Sequence, residues 1–165
     1  MDMDSSEAIY YGFKDTEIDF IVSAPCDNFS KLIEMIDEDD EIIHVPVTHE
    51  EEGIGICAGA YLGGKKPAIL MGNSGFGNSI NALKSLMELY EIPLIIVISH
   101  RDSEEHTIHD ESLMEESTPR ILEAMGFKFF KPGNGEAAYT DIRLSRDLCE
   151  EEGKPVSIIL DEHYW

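Results

Sequence analysis

The sequence predicts an α/β fold: a doubly wound, mostly parallel sheet of about six strands with helices on both faces. The first observation behind this prediction is that short runs of β-branched and aliphatic residues alternate with longer segments whose apolar residues recur at helical spacing. The second is that the intervening segments are long enough for the crossover helices that parallel strands need. The third is the length of 165 residues, which is typical of one domain. We therefore expect one domain spanning residues 1–165.

The strands and helices of this prediction follow one another in a regular order. The strands are expected at residues 18–22, 42–47, 68–71, 94–98, 127–130 and 156–160. The helices are expected at residues 5–13, 28–36, 50–62, 77–90, 112–125 and 135–152. A polar stretch, residues 99–116, is expected to form a surface loop after the fourth strand. Because ligands of open α/β sheets bind at the carboxyl ends of strands, we expect the functional site where the loops open at Ala24, Val47, Gly72 and Ser99.

The charge and cysteine content argue against several classes of protein. A net charge of −22, from 34 acidic and 12 basic residues, argues against nucleic acid as a partner, because phosphate binding requires clustered Lys and Arg. The 3 cysteines have spacings unlike those of zinc sites or disulfide frameworks, which predicts reduced thiols and no metal site in this chain. The longest apolar run, residues 92–98, is too short to span a bilayer, and the acidic start at residues 1–4 does not match a signal peptide. We therefore expect a cytoplasmic protein that has no membrane contact.

The first candidate segment follows the second predicted strand. Thr48 and Glu51 match a capping box, in which an N-cap Thr and a Glu three residues later satisfy free backbone N–H groups. On local grounds this structural interpretation of Glu51 is favoured over a catalytic one. The residues that follow, up to Tyr61, are rich in Gly and Ala, which would let the helix pack very closely against another surface.

The second candidate segment, residues 71–81, also lies between a predicted strand and a helix. Its glycines are typical of turns that cradle phosphate groups. It lacks, however, both the G-x-G-x-x-G order of dinucleotide sites and the Gly-Lys-Ser/Thr of a P-loop. A tight turn with helix capping by Asn73 or Ser74 therefore explains the segment equally well.

Together these segments resemble the pyrimidine-binding domain of the thiamine-diphosphate decarboxylases. The resemblance rests on residues 48–64, on residues 72–81 with Pro93, on the Ser-Ala-Pro-Cys-Asp of residues 23–27 and on residues 155–165. These segments occur in the family's order and cover essentially the whole chain. The resemblance is strongest toward members that decarboxylate sulfopyruvate and phosphonopyruvate, and nothing in the sequence separates a sulfonate substrate from a phosphonate one.

The resemblance implies a set of cofactor-binding residues. In this family one glutamate accepts a hydrogen bond from N1′ of the cofactor's aminopyrimidine. Counting back from Tyr61 places that glutamate at Glu51, which becomes the catalytic candidate, with Glu50 and Glu52 as alternatives of register. Further cofactor contacts are implied for Asn73, Ser74, Gly75 and Asn78.

The resemblance also implies residues on the substrate side. Asp27 occupies the position of an acidic residue that faces the substrate in several relatives, although an N-cap for the helix at 28–36 explains it equally well. His106 and His109 are candidates for proton transfer, against the favoured interpretation of a solvated loop. A sulfonate or phosphonate tail requires cationic donors, and the candidates are His49, His100 and Arg101.

One part of the family pattern has no counterpart in this sequence. Family members bind Mg²⁺ and the cofactor's diphosphate through a second domain marked by Gly-Asp-Gly and a later pair of Asn residues. The only faint echo, Gly133-Asn134-Gly135, lacks the carboxylate that a hard cation requires. The resemblance therefore implies a separate beta subunit that holds Mg²⁺ and the diphosphate, with active sites at the interface of a hetero-oligomer. The helix from residue 51 to 62 is the candidate for close subunit packing.

The function implied by the resemblance is that of one subunit of a thiamine-diphosphate-dependent 2-keto acid decarboxylase. The expected reaction converts 3-sulfopyruvate, a small anionic acid, to sulfoacetaldehyde and CO2, which serves coenzyme M synthesis in methanogenic archaea. Phosphonopyruvate is the alternative substrate. A second alternative, from a different class, is a non-catalytic flavodoxin-like binding or regulatory module in which Glu51 only caps a helix.

Overall fold

A six-stranded parallel sheet forms the centre of the protein. The computed structural model describes residues 3–100 and 109–165. The strands are β1 (Phe20–Ser23), β2 (Ile43–Pro46), β3 (Pro67–Gly72), β4 (Ile95–Ser99), β5 (Lys128–Phe130) and β6 (Val156–Leu160). Their order across the sheet is β2-β1-β3-β4-β6-β5, and every neighbouring pair is parallel. The predicted fold class is therefore confirmed, and each predicted strand has its counterpart.

The helices in the described ranges are α1 (Ser5–Asp15), α2 (Ser30–Asp37), α3 (Glu50–Leu62), α4 (Asn73–Ala82), α5 (His109–Met125) and α6 (Gly135–Glu152). A 3-10 turn at Asp27–Phe29 leads into α2, and a π-helical stretch at Leu83–Glu88 continues α4. Several predicted boundaries differ by one or two residues, and two helix starts differ by more. α4 begins at Asn73 rather than at residue 77, because the expected glycine turn is itself the first turn of the helix. α5 begins at His109, inside the stretch that was expected to be a loop.

The two faces of the sheet are covered by different helices. On β3, Ala68 and Leu70 face a core formed with α1, α2 and α6, whereas Ile69 and Met71 face a core formed with α3, α4 and α5. β4 and β6 are buried at every position, which is typical of central strands in parallel sheets. Full burial of each large apolar side chain contributes about 1.5–3 kcal/mol, so both layers hold the sheet. No helix in the ranges given above is long and apolar enough to cross a membrane.

The strand order creates a crevice beside β1. After β1 the chain passes to β2 on one side and then to β3 on the other, so β1 and β3 form a topological switch point. Ligands of open α/β sheets bind outside the carboxyl ends of the strands at such a point. The segments that leave these ends are residues 24–29, 47–50 and 72–78, which include most of the predicted site residues.

Charged pairs surround the opposite, amino-terminal end of the sheet. Lys14, in the last turn of α1, forms an ion pair of 2.8 Å with Asp39, and Tyr10 donates a hydrogen bond of 2.8 Å to the same carboxylate. The hydrogen bond from Lys14, followed by one from the backbone N–H of Glu41, lowers the pKa of Asp39 below its ordinary value. This carboxylate therefore joins α1 to the segment that enters β2.

Replacing Asp39 by Asn should lower the free energy of unfolding near neutral pH by on the order of 1 kcal/mol, because a charge-assisted hydrogen bond is lost. Since the folded-state pKa of Asp39 is lowered, its contribution is complete above the unfolded pKa and disappears as the pH falls through the folded value. Urea denaturation between about pH 7 and about pH 2 should show the two proteins converging below about pH 4. Asp40→Asn, at an exposed neighbour, is the control. A difference that persists unchanged into acid would contradict this assignment.

Candidate active site

The first turn of α3 carries three consecutive glutamates beside the switch-point crevice. The helix begins at Glu50, and its N-cap is His49, whose side chain makes no capping bond. The predicted capping box with Thr48 as N-cap is therefore wrong. The backbone N–H of Val47 donates to Ser23 O at 2.9 Å, which continues the extended pairing of β2 past Pro46 and delays the start of the helix. The acidic residues of the first turn still suit the positive end of the helix.

Gly53 lets α3 lie directly on the sheet. A Cβ at this position would fall 2.8 Å from Cδ1 of Ile69 and 2.9 Å from Cγ1 of Val22. The same side of the helix buries Ile54, Cys57 and Ala58. On the outer side, a Cβ at Gly55 or Gly59 would meet nothing within 4 Å. The small residues of α3 therefore have two different environments, one in the core and one open.

A cleft of about 360 Å³ lies over the first turn of α3. Its lining residues, which define the Glu51 cleft, are His49, Glu50, Glu51, Glu52 and Asn78. Glu51 and Glu52 are exposed, whereas Glu50 is half-buried and its carboxylate packs against Gly75 of α4, where any Cβ would clash with it. The structure thus separates the three register alternatives by environment: Glu50 is engaged with α4, while Glu51 and Glu52 are open to solvent.

The first turn of α4 supplies the other predicted cofactor contacts. Asn73 is 4% exposed, and its Oδ1 accepts a hydrogen bond of 3.0 Å from the backbone N–H of Ser74. Gly75 is buried, and its carbonyl accepts a hydrogen bond of 2.8 Å from Oγ of Ser79. Ser74 and Asn78 are exposed, and of the residues predicted on α4 it is Asn78 that lines the Glu51 cleft. The structure therefore places Asn78 beside Glu51, while Asn73 and Gly75 lie beneath the surface.

The β1–α2 loop comprises residues 24–29. Asp27 is exposed and is the first residue of the 3-10 turn in this loop. The alternative of Asp27 as an N-cap is wrong, because Cys26 caps the turn and Phe29 is the N-cap of α2. Asn28, which the sequence analysis did not single out, donates from Nδ2 to Ser99 Oγ at 3.0 Å and to the carbonyl of His100 at 3.1 Å. This side chain ties the loop to the carboxyl end of β4 and so restrains the position of Asp27.

The remaining predicted substrate residues have different locations. His100 is 1% exposed and donates its backbone N–H to Leu160 O at 2.9 Å, so it is part of the packed end of the sheet and not of a surface loop. Arg101 and His106 lie outside the described residues. His109 is the first residue of α5. Of the residues predicted to bind the anionic tail, His49 lines the Glu51 cleft and so lies beside the glutamates.

A chain of three polar side chains near the crevice was missed by the sequence analysis. His44 Nε2 lies 2.8 Å from Ser23 Oγ, and His44 Nδ1 lies 2.6 Å from Asp37 Oδ1. Ser23 lies on β1 and His44 lies on the neighbouring β2. Each is paired across the sheet with a residue that faces the layer of α1, α2 and α6. The signal that could have found them is a polar residue at a strand position that should face a helix.

Comparison with known proteins identifies the family to which this chain belongs. The family described as "Thiamine pyrophosphate enzyme, N-terminal TPP binding domain" matches residues 3–118. A relative from Methanothermobacter thermautotrophicus, named sulfopyruvate decarboxylase subunit alpha, is 46% identical over 165 residues and covers 100% of both chains. One of the same name from Methanococcus maripaludis is 44% identical over 163 residues, 99% of this chain and 98% of the relative. The chain belongs to the sulfopyruvate decarboxylase alpha-subunit family. The resemblance to thiamine-diphosphate decarboxylases inferred from the motifs is thereby confirmed.

Solved structures extend the likeness in fold beyond the sulfopyruvate decarboxylase alpha-subunit family. A thiamine-diphosphate-dependent 4-hydroxybenzoylformate decarboxylase from Rhodococcus jostii RHA1 superimposes with a TM-score of 0.75 at 16% identity. The match covers 96% of this chain and 30% of that enzyme. At this level of identity the match concerns the fold, and it shows that this chain has the same arrangement as one segment of that longer enzyme.

Gly53→Ala should destabilise the protein by about 1–3 kcal/mol, because the added methyl group is forced against Ile69 and Val22. Gly59→Ala on the open side of the same helix is the matched control. It should raise stability by up to about 1 kcal/mol, since Ala is the better helix former and space is free. Urea denaturation of the full chain measures both changes. Equal stabilities of the two variants would show that α3 does not press on the sheet at residue 53.

Proposed function

We propose that this chain is the alpha subunit of a decarboxylase that uses thiamine diphosphate to convert 3-sulfopyruvate to sulfoacetaldehyde and CO2, the reaction that serves coenzyme M synthesis. Glu51 is the catalytic residue, the acceptor for the cofactor's aminopyrimidine. The observation that carries the proposal is the exposed carboxylate of Glu51 on a cleft at the switch point of the sheet. The full-length relatives named for this reaction support the choice of substrate.

The Glu51 cleft suits one end of a heteroaromatic cofactor. Its volume of about 360 Å³ lies within the range of small-molecule sites, and it opens at the start of two helices. A carboxylate is a strong acceptor for a ring N–H, and the Asn78 amide beside it can both donate and accept. When bound, thiamine diphosphate supplies the nucleophilic carbon and the electron sink for loss of CO2. The duty of this chain is to hold Glu51 and the pyrimidine in register.

The proposal assigns the diphosphate and Mg²⁺ to a partner beta subunit. Among the side chains that the structure describes, those of residues 3–100, 114 and 116–165, no three of His, Cys, Asp or Glu are grouped so that they could hold a metal ion. A partner that covers the cleft would also exclude water, which strengthens the hydrogen bond to Glu51. α3 offers a surface for it, because Gly55 and Gly59 leave open space beside the exposed side chains of Ile56 and Leu62.

The substrate is proposed to approach from the side of the β1–α2 loop. Asp27 lies exposed on that loop, and His49 lies in the Glu51 cleft. His100, Arg101, His106 and His109 stay predictions for the sulfonate tail and for proton transfer. A sulfonate and a phosphonate present similar acceptor oxygens, so phosphonopyruvate is the substrate to compare first.

Glu51→Gln should lower kcat for CO2 release by at least about a hundredfold, because an amide cannot share a proton with the pyrimidine as a carboxylate does. The assay combines this chain with its beta subunit, thiamine diphosphate and Mg²⁺, and follows CO2 release from sulfopyruvate beside phosphonopyruvate. Each chain alone should be inactive. Glu52→Gln, at the exposed neighbour, should retain activity within about threefold, a change of less than 1 kcal/mol.

Each other outcome has a distinct meaning. Full activity of Glu51→Gln together with loss in Glu50→Gln or Glu52→Gln would move the catalytic role to that neighbour. Full activity in all three variants would support the alternative of a non-catalytic module whose glutamates only stabilise a helix end. A clear preference for phosphonopyruvate would keep the enzyme class and change the substrate.

Gly59→Leu should weaken assembly with the beta subunit, because a large side chain would fill the open space on the outer side of α3. The free chain should keep its stability, since nothing within 4 Å opposes a Cβ at this position. Sedimentation of the mixed subunits measures assembly, and Thr140→Leu on the exposed side of α6 is the control. Normal assembly of Gly59→Leu would show that the partner binds another surface.

A further inference from the structure

His44 makes a hydrogen bond with each of its ring nitrogens. Nε2 lies 2.8 Å from Oγ of Ser23, and Nδ1 lies 2.6 Å from Oδ1 of Asp37. The histidine side chain is 9% exposed and that of Asp37 is 58% exposed, whereas Ser23 as a whole is 4% exposed. The three side chains therefore form a chain that runs from solvent to the buried end of β1.

The positions of the protons follow from the partners. A carboxylate can only accept, so Nδ1 of His44 must carry a proton and donate it to Asp37. In the neutral ring Nε2 then accepts from the Ser23 hydroxyl, and in the charged ring it donates to it. The bond to Ser23 is satisfied in both cases. Asp37 thus fixes the ring, and the ring fixes the serine.

These two hydrogen bonds attach both ends of the segment from Ser23 to Asp37 to β2. Ser23 is the last residue of β1 and directly precedes the β1–α2 loop, while Asp37 is the last residue of α2. His44 lies between them on the neighbouring strand. On its other side the loop is held by Asn28, which donates to Ser99 and to the carbonyl of His100. The exposed Asp27 is therefore carried by a loop that is restrained from two directions.

The same three residue types occur in serine hydrolases, but the surroundings of Ser23 do not suit nucleophilic attack. Acyl transfer needs backbone N–H donors for the developing oxyanion, often from the residue after the nucleophile. The N–H of Ala24 is already donated to Leu70 O at 3.0 Å, and Pro25 has no N–H. The three side chains themselves line a groove of about 380 Å³, together with Ala24, Pro25, Ile33, Pro46 and Val47. Its lining adds no side-chain donor that could replace the missing backbone N–H groups. The chain is therefore better suited to hold the backbone than to react.

We propose that Asp37, His44 and Ser23 form a positioning chain that fixes the β1–α2 loop, and through it Asp27, at the carboxyl end of the sheet. This inference rests on the proposed decarboxylase function for its effect on catalysis. The chain touches no reacting atom; it acts by keeping Asp27 where the substrate is handled. Misplacement of a positioned group by about 1 Å can cost on the order of a hundredfold in rate, which gives the scale of effect to expect.

Two substitutions of His44 separate its two bonds. The amide nitrogen of Gln can replace Nε2 and keep the contact with Ser23, whereas that of Asn can replace Nδ1 and keep only the contact with Asp37. In the assembled enzyme, His44→Asn should lower kcat/KM for sulfopyruvate by about tenfold or more, and His44→Gln should stay within about threefold of wild type. His163→Gln, at an exposed histidine near the end of the chain, is the matched control.

Combination with Asp27→Asn tests whether the chain acts through that residue. In the Asp27→Asn background, His44→Asn should cause less than about a twofold further change in kcat/KM, because coupled residues are not additive. Effects that multiply in full would overturn the proposed route through Asp27. Wild-type kcat/KM in both His44 variants would overturn the positioning role altogether.

Backbone amide exchange on the full chain gives a readout that does not need activity. His44→Asn should speed exchange at Ala24 and Phe29, whose N–H groups are bonded within or beside the loop, by about tenfold relative to His44→Gln. Amides of α6 should not change. Unchanged protection in the loop would overturn the inference even if the enzyme is active. A wild-type assembly without CO2 release, but with faster loop exchange in His44→Asn, would instead overturn the proposed function while the loop is still shown to depend on His44.

Discussion

The close contact between α3 and the sheet at Gly53 is the constraint on which the site depends. With no side chain at residue 53, the helix rests on Ile69 and Val22, and its first turn is brought to the carboxyl ends of β1 and β3. Glu50 then reaches Gly75 of α4, and Glu51 is left facing the cleft. The absence of a Cβ at Gly53 and at Gly75 thus sets how closely α3 packs on the sheet and on α4. This packing determines which glutamate faces the cleft.

Three paired lysines lie at the amino-terminal end of the sheet. Lys14, Lys65 and Lys66 form ion pairs with Asp39, Asp19 and Glu17, around the segments that enter the strands. The carboxyl end carries the glutamates and Asp27. The lining of the Glu51 cleft contains three glutamates and neither Lys nor Arg. The proposed reaction of an anionic keto acid therefore depends on positive charge from histidines, from Arg101 or from the partner subunit.

Local pattern was sufficient to predict the fold but not the side-chain partnerships. The continuous apolar run of β3 and the helical spacing of apolar residues in α6 predicted these elements, because a strand buried on both faces is apolar at nearly every position whereas a helix buries one face. The predicted capping box at Thr48 was wrong because the backbone N–H of Val47 donates to the carbonyl of Ser23, which is remote in sequence. This bond keeps Val47 extended and delays the start of the helix. The resemblance, and not the pattern, led to Glu51. A polar residue at a strand position could have drawn attention to His44, but its partners and those of Asn28 come from other strands and helices, so no local rule could have identified these pairings.

The position of β6 between β4 and β5 has a consequence for synthesis of the chain. On the ribosome, domains are made from the amino terminus, and β4 emerges long before residues 156–160. Until then the outer edge of β4 has no strand beside it, and β5 has no neighbour in the sheet, because both pair with β6. The sheet can therefore close only after residues 156–160 have been made. During that interval the unpaired N–H and C=O groups on the edge of β4 can pair with strands of other chains, a risk that ends when β6 is added.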